Sequence, residues 1–237
     1  MEFKEIIAAG CREWGIELAA GAEERMERFF VLLTEANRRF NLTAITEPEE
    51  AARRHMLDCL FLLRCEELRG RRVIDVGCGA GFPAVPLLCA EPELDVTALD
   101  STKKRVDFVA ESCAELGLRV DAVCARAEEY VDAASLRGGM DIAVSRAVAA
   151  LPVLCELCLP YLRVGGALLA MKSDNPQAEE EVFSAAGALR VLGGELERRE
   201  KYATDGTPRQ VLVIRKVREC DKKYPRRYAK IVSAPLK

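Results

Sequence analysis

Arg72-Val73-Ile74-Asp75-Val76-Gly77-Cys78-Gly79-Ala80-Gly81-Phe82-Pro83 is an apolar, β-branched run that stops at a glycine-rich turn and then reaches a proline. This is the pattern of a strand, a ligand-approaching loop and a helix. Glycines at 77, 79 and 81 let the backbone turn sharply and come close to a ligand with no Cβ in the way. Pro83 suits the first turn of a helix, where its missing N–H is not needed. Asp100 closes the next apolar run, Leu94-Asp95-Val96-Thr97-Ala98-Leu99, some twenty residues on. A carboxylate at that place accepts hydrogen bonds from a ribose.

Two nucleotide-type ligands compete for the loop. Gly79-x-Gly81-x-x-Ala84 fits the loosened dinucleotide pattern of a nicotinamide-dependent oxidoreductase. Asp75-x-Gly77-x-Gly79-x-Gly81 fits the loop of S-adenosylmethionine-dependent methyltransferases. The latter cofactor has no pyrophosphate to cradle, and Asp75 is then available to an ammonium or a water. The bland alternative is an ordinary tight turn, but three alternating glycines weaken a fold unless something must approach closely.

Outward from the loop, strand and helix patterns alternate. A helix runs through Leu87 to about Ala90. Lys103 to Leu116 is helical, with Val106, Val109, Ala110 and Cys113 inward, and Gly117 stops it. Leu118 to Cys124 reads as a strand, as does Asp141 to Val144, which ends in Ser145-Arg146. A helix then runs to about Tyr161. Val164-Gly165-Gly166 reads as a turn into a strand from Ala167 to Met171, ending at Lys172. Asn175-Pro176 opens a helix to about Leu192. Runs near Leu196 and from Gln210 to Ile214 can pair as a hairpin-like edge. Alternation of this kind specifies an α/β, doubly wound parallel sheet, and ligands bind at the carboxyl ends of its strands. Gly77, Asp100, Arg126 to Glu128, Arg146 and Lys172 all fall at such ends.

The first fifty residues read as helical. Phe3, Ile6, Ile7, Gly10 and Trp14 recur at helical spacing, with Gly15 as a stop. Met26, Phe29, Phe30, Leu33 and Phe40 repeat the pattern, and these aromatics read as core. Thr46-Glu47-Pro48-Glu49 reads as a helix start capped by Thr46. The helix places Ala52, Met56, Cys59, Leu60 and Leu63 on one face, leaving Arg53, Arg54, His55 and Asp58 largely off it. Arg54 and Asp58 are spaced for an i,i+4 pair. His55 is a candidate base, but an exposed or hydrogen-bonded helix histidine is the preferred reading. The expected organisation is a helical extension over 1–66 and a ligand-binding domain over 67–237.

The 237 residues are 50% hydrophobic and 31% charged, a globular composition. No apolar run is long enough for a membrane span, and the start lacks a basic leader with an apolar core. Ten scattered cysteines read as reduced thiols of a cytoplasmic chain. Cys155-x-x-Cys158 has no matching second pair, so no metal is expected and packing on an apolar helix face is preferred. The net charge of −3 argues against a nucleic-acid binder. Its distribution does not: Arg215 to Lys237 carries nine basic residues against Glu219 and Asp221, a local +7. A solvated tail and a phosphate-contacting surface both account for it.

Several of these stretches occur together in a known order. They are Asn41-Leu42-Thr43-Ala44-Ile45, Arg54-His55-Met56-Leu57-Asp58-Cys59-Leu60, the loop Asp75 to Pro83, Ser145-Arg146-Ala147, Met171-Lys172 and Tyr224-Pro225-Arg226-Arg227. The set resembles the glucose-inhibited division protein B family of bacterial 16S ribosomal RNA guanine-N7 methyltransferases. The resemblance implies a seven-stranded Rossmann-like methyltransferase sheet, S-adenosylmethionine as cofactor, and 16S ribosomal RNA of the small subunit as partner, with a monomer expected. By motif it implies cofactor contacts at Asp75, Gly77, Gly79, Gly81, Phe82, Asp100, Ala127, Glu128 and Arg146. Cys78, Ala84, Ser173 and the tail Ser233-Ala234-Pro235-Leu236 depart from the family's usual residues.

Guanine N7 has a free lone pair and no proton, so its attack on a sulfonium methyl needs no general base. Alignment and electrostatics then carry the reaction. Arg146 and Lys172 are the candidate catalytic residues, as donors to guanine O6 or phosphate, or else structural ion-pair partners. Arg38, Arg39, Arg53, Arg54, Lys103, Lys104 and the C-terminal basic residues are candidates for the RNA backbone. A non-enzymatic RNA-binding or assembly factor that keeps the cofactor pocket is the alternative.

Overall fold

The apolar runs pair into a single sheet. A computed structural model describes residues 2–132 and 136–236. It holds β1 (Arg72–Val76), β2 (Asp95–Asp100), β3 (Asp121–Cys124), β4 (Met140–Arg146), β5 (Leu162–Ser173), β6 (Gly194–Ala203) and β7 (Pro208–Lys216), in the spatial order β3-β2-β1-β4-β5-β7-β6. The first five are parallel and β7 is antiparallel to both neighbours. The expected hairpin of β6 and β7 forms, with β7 rather than β6 against β5.

The helices are α1 (Phe3–Trp14), α2 (Ala22–Phe40), α3 (Pro48–Ala51), α4 (Asp58–Leu60), α5 (Leu62–Cys65), α6 (Ala84–Ala90), α7 (Lys103–Glu115), α8 (Ala127–Tyr130), α9 (Leu151–Cys158), α10 (Pro176–Ser184), α11 (Ala186–Leu192) and α12 (Tyr228–Ser233). Among the described residues none is long and apolar enough to cross a membrane.

Strand periodicity sorts the core into two layers. Val73, Val96, Val144, Leu169 and Val213 face a cluster built with Phe3, Ile7, Phe29 and Leu33 of α1 and α2. Ile74, Leu99, Ala143, Leu168 and Ile214 face a cluster built with α9 and α11. The central strands are buried on both faces, which is why they read as continuous apolar runs. The first cluster runs from Phe3 to Val213, so it crosses the division expected at 66/67.

Several local expectations are corrected. The cap of α3 is Glu47, with Pro48 as its first residue and no side-chain cap bond, so Thr46 does not cap it. Between α3 and α4 the chain makes a π-helical turn, Ala52–Leu57, which shifts the helical register. His55 and Asp58 therefore turn inward, at 7% and 1% exposed. Arg54 does not pair with Asp58; it meets Glu50 and Asp205 instead. β3 begins at Asp121 rather than Leu118, where its pairing with Thr97 of β2 starts. β5 begins at Leu162, passing through Gly165 and Gly166 with a register shift against β4. A Cβ on Gly166 would sit 2.6 Å from the Asp141 carbonyl oxygen, so the pair marks a bulge rather than a turn.

The C-terminal basic run is only partly a solvated tail. Arg215 pairs with Glu66 and Glu197, buried Lys216 donates to the Leu192 carbonyl, and Arg226 pairs with Glu156. All ten cysteines are free thiols, and eight are buried, Cys155 and Cys158 among them.

Phe29 is fully buried where α2 meets the sheet, 5.5 Å from the Phe82 ring and 6.1 Å from Phe108. Phe29→Ala is expected to lower stability by about 3–5 kcal/mol. Phe183→Ala, at an 87% exposed position, is expected to change it by less than about 0.5 kcal/mol. Urea unfolding of both variants checks the pair.

Candidate active site

The carboxyl ends of β1, β2 and β4 are tied together through backbone and two carboxylates. Gly77 and Cys78 donate their N–H groups to the Leu99 carbonyl, at 2.8 and 3.0 Å. Asp100 accepts from the Gly79 N–H at 3.1 Å and the Thr102 N–H at 2.8 Å. Its carboxylate still has lone pairs for an incoming hydroxyl. Asp75 is fully buried. Its Oδ2 accepts from the Ala84 N–H at 3.0 Å, at the start of α6, while its Oδ1 has no hydrogen-bond partner among the described residues. Burial, with Asp100 nearby, pushes the Asp75 carboxyl up to about 7 against the acceptance of the Ala84 N–H.

Gly77 has φ +78°, and a Cβ there would lie 2.5 Å from Cγ2 of Val148. Only glycine satisfies both the backbone and the space. Val148 arrives there because Ser145 donates to the Val76 carbonyl at 2.9 Å and Ala147 takes a left-handed φ of +57°. Strain of this kind gathers at functional sites and is held by its surroundings. Lys172 supplies the hold: its ammonium donates to the Ala149 carbonyl and to Glu181, each at 2.7 Å. Glu181 also accepts from the Leu151 N–H at 3.0 Å.

These ends surround a cavity of about 310 Å³, lined by Gly77, Asp100, Ala127, Glu128, Val148 and Tyr228, among others. The volume lies within the range of small-molecule sites. Of the residues read from sequence, Gly77, Asp100, Ala127 and Glu128 reach it. Gly79 and Gly81 shape the loop, at φ +56° and +95°, and Asp75 sits behind the glycine turn.

Neither the Phe82 nor the Arg146 side chain lines this cavity. Phe82 is 5% exposed, stacked on the His55 ring at 4.3 Å, with the Arg146 guanidinium 4.8 Å from its centroid. Arg146 donates to Asp58 at 3.1 Å, to the Arg54 carbonyl at 3.1 Å and to Nδ1 of His55 at 3.2 Å. As Nδ1 accepts, Nε2 carries the proton and donates to Thr43 Oγ1 at 2.9 Å. Burial first, and then the Arg146 cation, lower the His55 pKa to about 3. The histidine is neutral and fully engaged, as the hydrogen-bonded reading expects, but it is not exposed.

Sequence reading gave no role to Thr43, Val148, Glu156 or Tyr228. Thr43 lies in one of the stretches that carry the resemblance, and Glu156 stands out as a lone carboxylate within the apolar run Leu151 to Tyr161.

The comparisons agree with this geometry. A family profile described as GidB, rRNA small subunit methyltransferase G, matches residues 22–201. The chain belongs to this family. A ribosomal RNA small subunit methyltransferase G of Alkaliphilus oremlandii is 41% identical over all of both chains. One of Deinococcus radiodurans is 41% identical over 98% of this chain and 92% of its own. In fold the chain resembles an S-adenosylmethionine-dependent O-methyltransferase of Thermotoga maritima, with a TM-score of 0.52, 17% identity and coverage of 80% and 73%. It also resembles a protein of Klebsiella pneumoniae, with a TM-score of 0.55, 16% identity and coverage of 80% and 90%.

The chain is therefore an S-adenosylmethionine-dependent rRNA methyltransferase, and the dinucleotide reading of its loop is set aside. The residues present fit that cofactor. Asp75 has an unsatisfied buried oxygen suited to an ammonium or a bridging water, and Asp100 is suited to ribose hydroxyls. The cofactor supplies an electrophilic sulfonium methyl.

Asp75 makes stability depend on pH. Folded, its carboxyl titrates near 7 against an ordinary value of 3.8, so between those values the folded state holds the extra proton. This contribution is fully present below pH 3.8 and is lost as pH rises towards 7. Urea midpoints are expected to fall from pH 5 to pH 8 in the wild type, and Asp75→Asn is expected to lose that component of the fall.

Proposed function

We propose that the chain transfers the methyl group of S-adenosylmethionine to N7 of a guanine in 16S ribosomal RNA of the small subunit. The supporting observation is the state of His55, the chain's sole histidine. It is held neutral between Thr43 and Arg146 and stacked on Phe82, so it is not free to take a proton. A nucleophile with its own lone pair needs none. The acceptor must then be aligned with methyl and sulfur, and the charge developing on its ring balanced.

Lys172 acts as a positioning residue in this reading rather than as a donor to guanine. Its two bonds fix residues 147–150, and with them Val148 against Gly77. Arg146 likewise sets the shape of the loop from behind, through Phe82 and Asp58. Asp75, Gly77, Asp100, Ala127 and Glu128 hold the cofactor. In this reading the chain acts as a monomer and without a metal ion. The acceptor places the reaction in the cytoplasm.

For the RNA backbone, Arg38, Arg39 and Lys104 are exposed, and among the described residues no carboxylate lies within ion-pair distance of them. Arg39 and Lys104 line one cleft between α2 and α7, where the Lys104 ammonium lies 5.8 Å from the centroid of Phe40. Lys104 lies in the first turn of α7, which starts just beyond the carboxyl end of β2, where Asp100 lines the cofactor cavity. Arg53 and Lys103 are engaged by Glu49 and Asp107. The roles expected of those two are correspondingly weaker.

Labelled S-adenosylmethionine with unmethylated small subunits, and then with stripped 16S RNA, tests the function. One labelled guanine that permits strand cleavage after borohydride and aniline is the expected product. A label that permits no cleavage would place the methyl on another atom. Arg38→Glu with Arg39→Glu is expected to raise KM for RNA and to flatten its salt dependence by about one counterion for each arginine replaced, leaving cofactor affinity unchanged. Lys172→Ala is expected to weaken cofactor binding several-fold in equilibrium titration, with little change in KM for RNA.

A further inference from the structure

Glu156 is fully buried on α9, and its hydrogen bonds come from a single residue. Oε1 accepts from the backbone N–H of Arg226 and from its Nε, both at 2.8 Å, and Oε2 accepts from its Nη2 at 2.6 Å. A carboxylate out of water is stable only with such partners. Two further contacts fix the same segment. Arg137 donates to the Tyr224 carbonyl at 2.7 Å, and Ile231 is wholly buried in the core beside α9.

Tyr228 stands between Arg226 and Ile231, and so its place is set from both sides. It is 40% exposed at the rim of the cofactor cavity, with the Arg126 guanidinium 5.5 Å from its ring centroid. Arg126 leads directly into Ala127 and Glu128, while Asp100 marks the ribose end of the same cavity. A half-open aromatic ring beside a planar cation is a surface for stacking a flat heterocycle.

We propose that Tyr228 is the wall on which the adenine of S-adenosylmethionine stacks, and that the Glu156–Arg226 pair holds that wall in position. The inference rests on the assignment of this cavity to the cofactor. It gives part of the basic C-terminal segment a task in nucleoside binding, separate from any contact with RNA.

Titration calorimetry of the full chain with S-adenosylhomocysteine and with adenosine tests it. Tyr228→Ala and Tyr228→Leu are each expected to weaken both ligands by the same factor, about five- to tenfold, as loss of one aromatic stack gives. Tyr228→Phe keeps the ring face and is expected to bind within about twofold of wild type. In the wild type, S-adenosylhomocysteine is expected to slow tryptic cleavage between residues 222 and 230, and Glu156→Gln is expected to abolish that protection. Wild-type affinity in Tyr228→Leu, or a loss confined to S-adenosylhomocysteine with adenosine unaffected, would overturn the adenine contact. Unchanged protection in Glu156→Gln would overturn the positioning role. If the wild type binds neither ligand, the failure belongs to the cavity's assignment and not to Tyr228.

Discussion

The ion pair of Arg146 and Asp58 joins the end of β4 to the start of α4, just after the π-helical turn. Both groups are withdrawn from water, which is tolerable only because each is hydrogen-bonded several times over. Arg146 meets Asp58, the Arg54 carbonyl and His55, while Asp58 also accepts from the Tyr202 hydroxyl at 2.8 Å, with Arg209 at 3.3 Å. The end of β4, the π-helical turn and the β6–β7 hairpin are thereby locked to one another. Phe82 of the glycine loop packs against both His55 and Arg146. The N-terminal helices are thus part of the apparatus that shapes the cofactor loop.

This arrangement divides the labour. Charged side chains at the strand ends are spent on holding backbone, as with Arg146 on the π-helical turn and Lys172 on the loop after β4. In the proposed reading the cofactor is left to glycines, main-chain groups, the carboxylates of Asp75, Asp100 and Glu128, and the Tyr228 ring. Such a site suits a reaction in which the electrophile arrives already activated and the nucleophile arrives already deprotonated. Geometry is what the protein must provide, and the bonds that fix geometry are the ones most heavily protected from water.

The sheet and the loop were legible in the sequence because their determinants are local. Alternating apolar residues sort themselves onto two faces, and the glycines at 77 and 81 answer to backbone angles and near neighbours. Charge partners were not legible in the same way. Arg146 and Asp58 are 88 residues apart, and Glu156 and Arg226 are 70 apart. Neighbour spacing offers closer but wrong partners, of which Arg54 for Asp58 is the instance. The π-helical turn misled as well, because a regular helical wheel leaves His55 and Asp58 largely off the apolar face, whereas one inserted residue turns them in. Gly165 and Gly166 read as a turn by composition, yet they serve a bulge whose cause lies across the sheet in Asp141.

The thiols carry a consequence of their own. Eight of the ten are buried, and burial pushes Cys11, Cys65, Cys113 and Cys155 up to about 12, so at neutral pH they are unreactive thiols shut away from reagents. Cys124 and Cys220 alone are within reach of solvent. Because the buried eight are spread over α1, α4, α5, the glycine loop, α6, α7 and α9, each element carries its own internal tag. An alkylating reagent would mark the native fold at two positions, and every further mark would name the element that had opened.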